Sequence, residues 1–265
     1  MNFFDFDLHT HTQYSDGRNN VPEMLNAAEA NGVRGFVLAD HAFNDEQAEK
    51  LLTEYGLLPR DTAPVPYLFG CETAVGSLDG KACVSQELLQ KFELVLMDCN
   101  GILFSQLKEL YGNPEALCDR FCDILIAATE NNPAVTIMAH PFNFGRKPLS
   151  LSLKLFTNER VAKIAEAFRK NGKVFEIMNQ MYYWHNDTPF EEFHREYLRI
   201  VDIFNREGVT FSVGSDTHSC CGIGNLPWCR KVVRELNLSG NFFLPDAFRS
   251  LNENFATDPT EGDRK

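Results

Sequence analysis

In the opening stretch DFDLHTH, His9 and His11 stand two residues apart, straight after a run of phenylalanines. On an extended chain residues two apart share a face, so both imidazoles reach one point, as a divalent metal requires. Five of the seven histidines close short apolar runs in this way: His9, His11, His41, His140 and His218. Asp16, Glu72 and Asp216 join them, which makes eight nitrogen and oxygen donors. Imidazole mixed with carboxylate suits zinc, manganese or iron, whereas an all-oxygen set suits magnesium or calcium. The set is too large for one ion and sufficient for two or three divalent ions sharing a bridging carboxylate. Two ions about 3.5–4 Å apart can hold the attacking and leaving oxygens of a displacement at phosphorus, and a metal-bound water ionises near about pH 7. No G-x-S-x-G elbow and no glycine-rich phosphate loop offers a competing chemistry.

The elements that must position these donors alternate along the chain. Apolar β-type runs fall at 5–11, 33–41, 65–72, 91–100, 134–140, 173–179 and 209–218, and amphipathic helical segments at 19–32, 102–112, 113–132, 157–172 and 189–208. In the first run Phe4, Phe6 and Leu8 alternate with Asp5, Asp7, His9 and His11, which assigns the two sets to opposite faces of a strand. Seven strands alternating with helices predict a mostly parallel sheet, and the donors stand at the strand C-termini, where (β/α) barrels assemble their sites. A single domain over 1–250 and a polar tail over 251–265 are expected.

Composition limits the partners. With 44% hydrophobic and 12% aromatic residues, the 265-residue chain can build a sizeable core. A net charge of −12 argues against an extended nucleic-acid surface. It leaves room for a small phosphorylated substrate, because bound cations invert the local sign. The N-terminus carries Asp5 and Asp7 and no basic n-region, and no apolar run reaches membrane-spanning length, so no signal peptide and no membrane partner are expected. The eight cysteines form no C-x-x-C pair and are expected as reduced thiols in a cytoplasmic protein. The oligomeric state stays open.

The ordered motifs DLHTH…YSDG, ADH, GCE, AHP and GSDTH resemble those of the PHP (polymerase and histidinol phosphatase) domain family, over roughly residues 5–225. The resemblance implies a distorted (β/α)7, TIM-like barrel with a two- or three-metal phosphoesterase site at the strand C-termini. It implies one ion on His9, His11, Glu72 and Asp216, and a second on Asp16, His41 and His218. A third would use the bridging Glu72, His140 and a histidine at the end of strand four. Glu72 and Asp216 would organise the metal-bound water that attacks phosphorus. The chain departs from the pattern at that last histidine, where it has Asn100, with Cys99 beside it, and at Ala39, where the family has threonine. The function implied is hydrolysis of a small phosphorylated metabolite or nucleotide. One alternative is histidinol phosphatase, and another is a metal-binding module with little turnover, prompted by Asn100.

Further candidates complete the reading. Asp7 is expected to orient a ligating imidazole. Glu176 and Asn179 end a strand and are expected near substrate or water. Arg18, Arg146 and Lys147 are candidates for the substrate phosphate. His185 lies in an aromatic loop where packing and substrate contact fit equally well, and His194 is expected on the surface of a helix.

Overall fold

The computed structural model describes residues 2–144, 151–238 and 240–255. Seven strands, β1 (Phe6–Thr10), β2 (Gly35–Leu38), β3 (Tyr67–Ala74), β4 (Leu94–Asp98), β5 (Ile137–Ala139), β6 (Val174–Met178) and β7 (Thr210–Gly214), lie in sequence order and pair in parallel. Just beyond β7 the sheet curls back onto β1, where Asp216 N–H donates to His9 C=O (2.9 Å) and His11 N–H to Thr217 C=O (2.9 Å). The result is a nearly closed barrel whose C-terminal rim is bonded across the seam.

The connecting helices are α1 (Val21–Ala30), α2 (Asp45–Tyr55), α3 (Gln86–Leu89), α4 (Gly101–Gln106), α5 (Pro114–Asn131), α6 (Asn158–Lys170), α7 (Phe190–Arg206) and α8 (Pro227–Glu235), followed by α9 (Asp246–Phe255). Their starts follow from local chemistry. Asn20 caps α1 in a reciprocal capping box with Glu23, and proline occupies its first turn, where no N–H is needed. The side chains of Asn44, Asn113 and Thr157 each accept a first-turn backbone N–H, of Gln47, Ala116 and Arg160, and so cap α2, α5 and α6. Helices α2, α3, α8 and α9 go beyond the segments read as helical. The expected helix over 102–112 is shorter, ending at Gln106 before a 3₁₀ turn over Lys108–Leu110.

Two apolar cores result. The larger lies between strands and helices and contains Phe36, Phe121, Phe175 and Phe204 among many fully buried rings. The smaller fills the barrel interior with Phe6, Leu8, Val37, Leu68, Leu96, Ile137 and Val174. Leu244 and Phe248, the latter on α9, close the floor of the interior. Helix α9 carries the fold past residue 250, and 256–265 lie outside the described residues.

The first strand differs from simple alternation. Residues 3–5 form a 3₁₀ turn, and the β1–β2 register shifts between Asp7 and Thr10. That irregularity lets Leu8 pack in the barrel interior while His9, its neighbour, also reaches the polar upper chamber. A bulge re-aims side chains in this way. The apolar side of β1 is therefore the interior floor, and the histidines stand directly above it.

Candidate metal centre

The donors converge on Glu72, in β3 and only 2% exposed. Its Oε2 lies 3.2 Å from His9 Nε2, 3.4 Å from His11 Nε2 and 3.1 Å from His41 Nδ1, and its Oε1 lies 3.1 Å from His140 Nε2. Asp216 Oδ1 is 3.1 Å from His11 Nε2 and 3.6 Å from His9 Nε2. Asp16 Oδ1 faces His41 Nε2 at 3.5 Å and His218 Nε2 at 3.2 Å. All eight expected donors are thus in one constellation. Three groups offer ligand atoms within 4.8 Å of one another: His11 with Asp16, His41 and His218; His9 with His11 and Glu72; and His9 with His140 and Glu176. The fit is that of nitrogen-rich divalent-metal positions sharing one carboxylate.

The surrounding framework explains how these side chains are held. Asp40, fully buried, accepts from Thr12 N–H (2.8 Å), Thr12 Oγ1 (2.8 Å), Ser15 Oγ (2.6 Å) and the Tyr55 hydroxyl (2.9 Å), and so shapes the loop that presents Asp16. Glu176 Oε1 pairs with His9 Nδ1 at 2.8 Å, and its Oε2 accepts the His140 backbone N–H at 2.7 Å. Glu176 therefore does for His9 what was expected of Asp7: a carboxylate on the distal nitrogen fixes tautomer and ring orientation. Asp7 instead accepts main-chain N–H groups of Ser215 (2.9 Å) and Gly224 (2.8 Å), tying β1 to the segment after β7. Gly214 must be glycine, since a Cβ there would lie 2.4 Å from Glu176 Oε1 and 2.6 Å from His9 Cβ. Two of the candidate donors, His140 (φ 29°) and Asp216 (φ 52°), adopt left-handed backbone that non-glycine residues rarely take, a strain typical of functional positions.

Electrostatics follow from burial and proximity. Burial alone would lower the pKa of His9, but Glu176, Glu72 and Asp216 together hold it well above its ordinary value. His140, likewise buried, is pushed up to about 9, chiefly by its hydrogen bond to Glu72 and that residue's charge. Burial keeps His11 below its ordinary value. Glu72 and Asp216 move the opposite way: burial opposes their ionisation, and the adjacent histidines, His9 foremost, more than overcome it. A site that holds carboxylates ionised while histidines crowd them has the charge pattern a cation can take over.

Other expected residues fall elsewhere. Asn179 Oδ1 accepts the N–H of Trp228 (2.9 Å) and Cys229 (3.4 Å), capping the start of α8 rather than facing substrate. His185 is buried, bonds Phe142 C=O (3.2 Å) and stacks on Phe193, a packing role that braces the loop after His140. His194 is not on the surface: it is 9% exposed, bonds Glu235 (2.8 Å) and accepts from Trp228 Nε1 (3.3 Å). Cys99 is buried among the outer core residues and cannot replace the missing histidine. Arg18 lines a cleft with Asp216, His218 and Gln180, beside the donors. Arg146 and Lys147 lie outside the described residues. All eight cysteines are free, and no described helix is long and apolar enough to cross a membrane.

A cavity of about 460 Å³ opens above the donors, lined by Glu72, His140, Asp216 and His218 and flanked by Phe43 and Trp184. A larger groove between α7 and α8, about 580 Å³, is lined by none of these donors.

A parallel barrel with histidines and carboxylates gathered at its C-terminal rim defines a metal-centred class of barrel protein. The profile of the PHP domain matches residues 7–213, and the chain belongs to that family. It is 27% identical over 254 residues to a protein of Acetivibrio thermocellus described as "Probable phosphatase", covering 94% of each chain. A protein of Caldicellulosiruptor bescii with the same description is 24% identical over 252 residues, again covering 94% of each. Among solved structures, the histidinol phosphate phosphatase of Lactococcus lactis, complexed with zinc, L-histidinol and phosphate, superposes with a TM-score of 0.62. That match has 14% identity and covers 90% of this chain and 95% of the other, and it supports the fold.

Proposed function

We propose that the protein is a metal-dependent phosphoesterase acting on a small phosphorylated metabolite or nucleotide. The observation that carries this reading is the convergence of His9, His11, His41 and His140 on one buried carboxylate, Glu72, at the floor of an open cavity. Divalent ions held there by these histidines and carboxylates, zinc, manganese or iron, would supply Lewis-acid polarisation of the phosphate and activation of water near neutral pH. The chain's own residues do the rest. Glu72 and Asp216 hold negative charge at fixed positions, Glu176 locks the ring of His9, and Arg18, which lines a cleft with Asp216 and His218, is the candidate to bind a phosphate oxygen.

Phe43, 46% exposed and stacked on His41, shares the cavity mouth with Trp184. Two aromatic side chains there favour a leaving group with a flat ring. Histidinol phosphate, with its imidazole, is one such substrate, and the likeness to the Lactococcus lactis enzyme supports testing it first. A phosphatase screen over a metabolite panel, with Mn, Zn, Fe and Mg each supplied, tests the proposal. Hydrolysis of phosphomonoesters in at least one metal form is expected. Absence of turnover in every form, with metal bound, would favour the binding-module alternative.

A further inference from the structure

Beside the cavity above the donors lies a second one of about 310 Å³, whose lining includes Tyr14, Asp16, His41, Phe43, Gln47 and Lys50. Asp16, His41 and Phe43 line both, so the two spaces adjoin at the Phe43 ring. The wall near the donors is aromatic. Phe43 stacks on His41 with ring centres 4.9 Å apart, and Tyr14 is held edge-on to Tyr55 at 5.9 Å. Asp98, Asn143 and Trp184 line the donor cavity but not this pocket.

The α2 side of the pocket presents donors. Gln47 and Lys50 are three residues apart on α2 and share a face of the helix. Gln47 Oε1 accepts the Phe43 backbone N–H at 2.7 Å. An N–H needs an oxygen, so this bond fixes the orientation of the amide. Its donor end, Nε2, is left without a partner among the described residues. Lys50 is exposed and makes no hydrogen bond or ion pair among the described residues. The acids of α2, Asp45, Glu46, Glu49 and Glu54, line neither cavity. Two donors with no acceptor of their own, behind an aromatic wall, suit an anionic group carried beyond a ring.

We propose that the leaving group of the substrate enters this pocket, its ring against Phe43 and Tyr14 and an anionic group on Gln47 Nε2 and Lys50 Nζ. The substrate is then a phosphomonoester whose leaving group carries a flat ring and, beyond it, a carboxylate or a second phosphate. The inference deepens the phosphoesterase reading and rests on it. It selects the sign of charge on the leaving group, and it disfavours a cationic one such as the ammonium of histidinol phosphate.

The test is steady-state kinetics of the metal-loaded protein on phenyl phosphate carrying, in the para position, hydrogen, a carboxylate, a second phosphate or an aminomethyl group. Selectivity is the ratio of kcat/KM for each charged ester to that for phenyl phosphate. Its change between variants cancels the intrinsic reactivity of the esters. The parent protein should favour an anionic ester over the aminomethyl one, and the larger anionic ratio tells carboxylate from phosphate. Lys50→Gln should lower that ratio by about threefold, the effect of one exposed charge. Gln47→Glu keeps an acceptor for the Phe43 N–H, sets a carboxylate among the donors and should reverse the preference. Phe43→Leu should raise KM for the aryl esters more than for an alkyl phosphate. Preference of the parent for the aminomethyl ester, or a ratio that neither Lys50→Gln nor Gln47→Glu moves, would overturn the pocket assignment. Absence of hydrolysis of every ester by the metal-loaded parent would instead overturn the phosphoesterase reading itself.

Discussion

Glu72→Gln keeps the shape of the central side chain and removes its charge. In the metal-free protein, Glu72 is 2% exposed, so water compensates little for the loss. His9 and His140, both with raised pKa values, face it at 3.2 and 3.1 Å. Removing one partner of a buried charge pair costs about 3–5 kcal/mol, less whatever the histidines recover by releasing their protons. At about 2–4 °C per kcal/mol for a chain of this size, the melting temperature of metal-free protein should fall by about 10 °C. In the loaded protein the two carboxylate oxygens serve different sides. Oε2 faces His9, His11 and His41, and Oε1 faces His140. A neutral amide is a poor ligand on both sides, so two ions should weaken. Each should lose at least the roughly 100-fold that removal of a supporting partner alone can cause, about 2.7 kcal/mol. His41→Ala removes one nitrogen from one ion and serves as the control. Elemental analysis after matched dialysis, beside melting curves with and without chelator, reads both effects. If Glu72→Gln retains as much metal as His41→Ala, the bridging role is wrong.

Three further outcomes follow from the same contacts. Glu176→Gln should weaken metal binding about 10–100-fold while leaving the fold intact; unchanged affinity in a metal titration would show that His9 needs no such brace. The His140 pKa is raised from 6.5 to about 9 in the metal-free site, so its contribution to metal-free stability is complete below pH 6.5 and disappears as pH rises through about 9. Glu72 and Asp216 are lowered, and their contributions hold above their ordinary values of 4.5 and 3.8 and vanish as pH falls through the lowered ones. Metal must therefore displace protons at pH 7, and affinity should climb up to about pH 9; calorimetry in buffers of different ionisation enthalpy would detect that release, and its absence would contradict the assignment. Gly214→Ala forces a Cβ to 2.4 Å from Glu176 Oε1, so it should lower both melting temperature and metal content, whereas a variant with native metal content would show the contact relaxes freely.

The strand ends were legible because chemistry and period coincide there: His41, Glu72, His140 and Asp216 each follow an apolar run, and each reaches the expected cluster. What sequence alone could not convey is backbone detail that no side-chain pattern encodes. The register shift in β1 lets Leu8 and His9 both serve the interior, against simple alternation. The left-handed backbone at His140 and Asp216 has no signature in residues of that type. Asp7 and Glu176 illustrate the limit for side chains: both are acids on strands near the site, and only the fold decides which one meets an imidazole. Helix α9 went unread because its apolar positions lie within a polar C-terminal segment, yet Phe248 seals the barrel floor.

The most direct test of the central claim is activity before and after metal removal. The protein is stripped with a chelator, shown to be metal-free by elemental analysis, assayed on the phosphomonoester panel, then reloaded with zinc and manganese and assayed again. The account predicts that hydrolysis falls to background in the stripped protein and returns on reloading, with no return in Glu72→Gln at the same metal concentration. Full activity in verified metal-free protein, or equal recovery in Glu72→Gln, would contradict it.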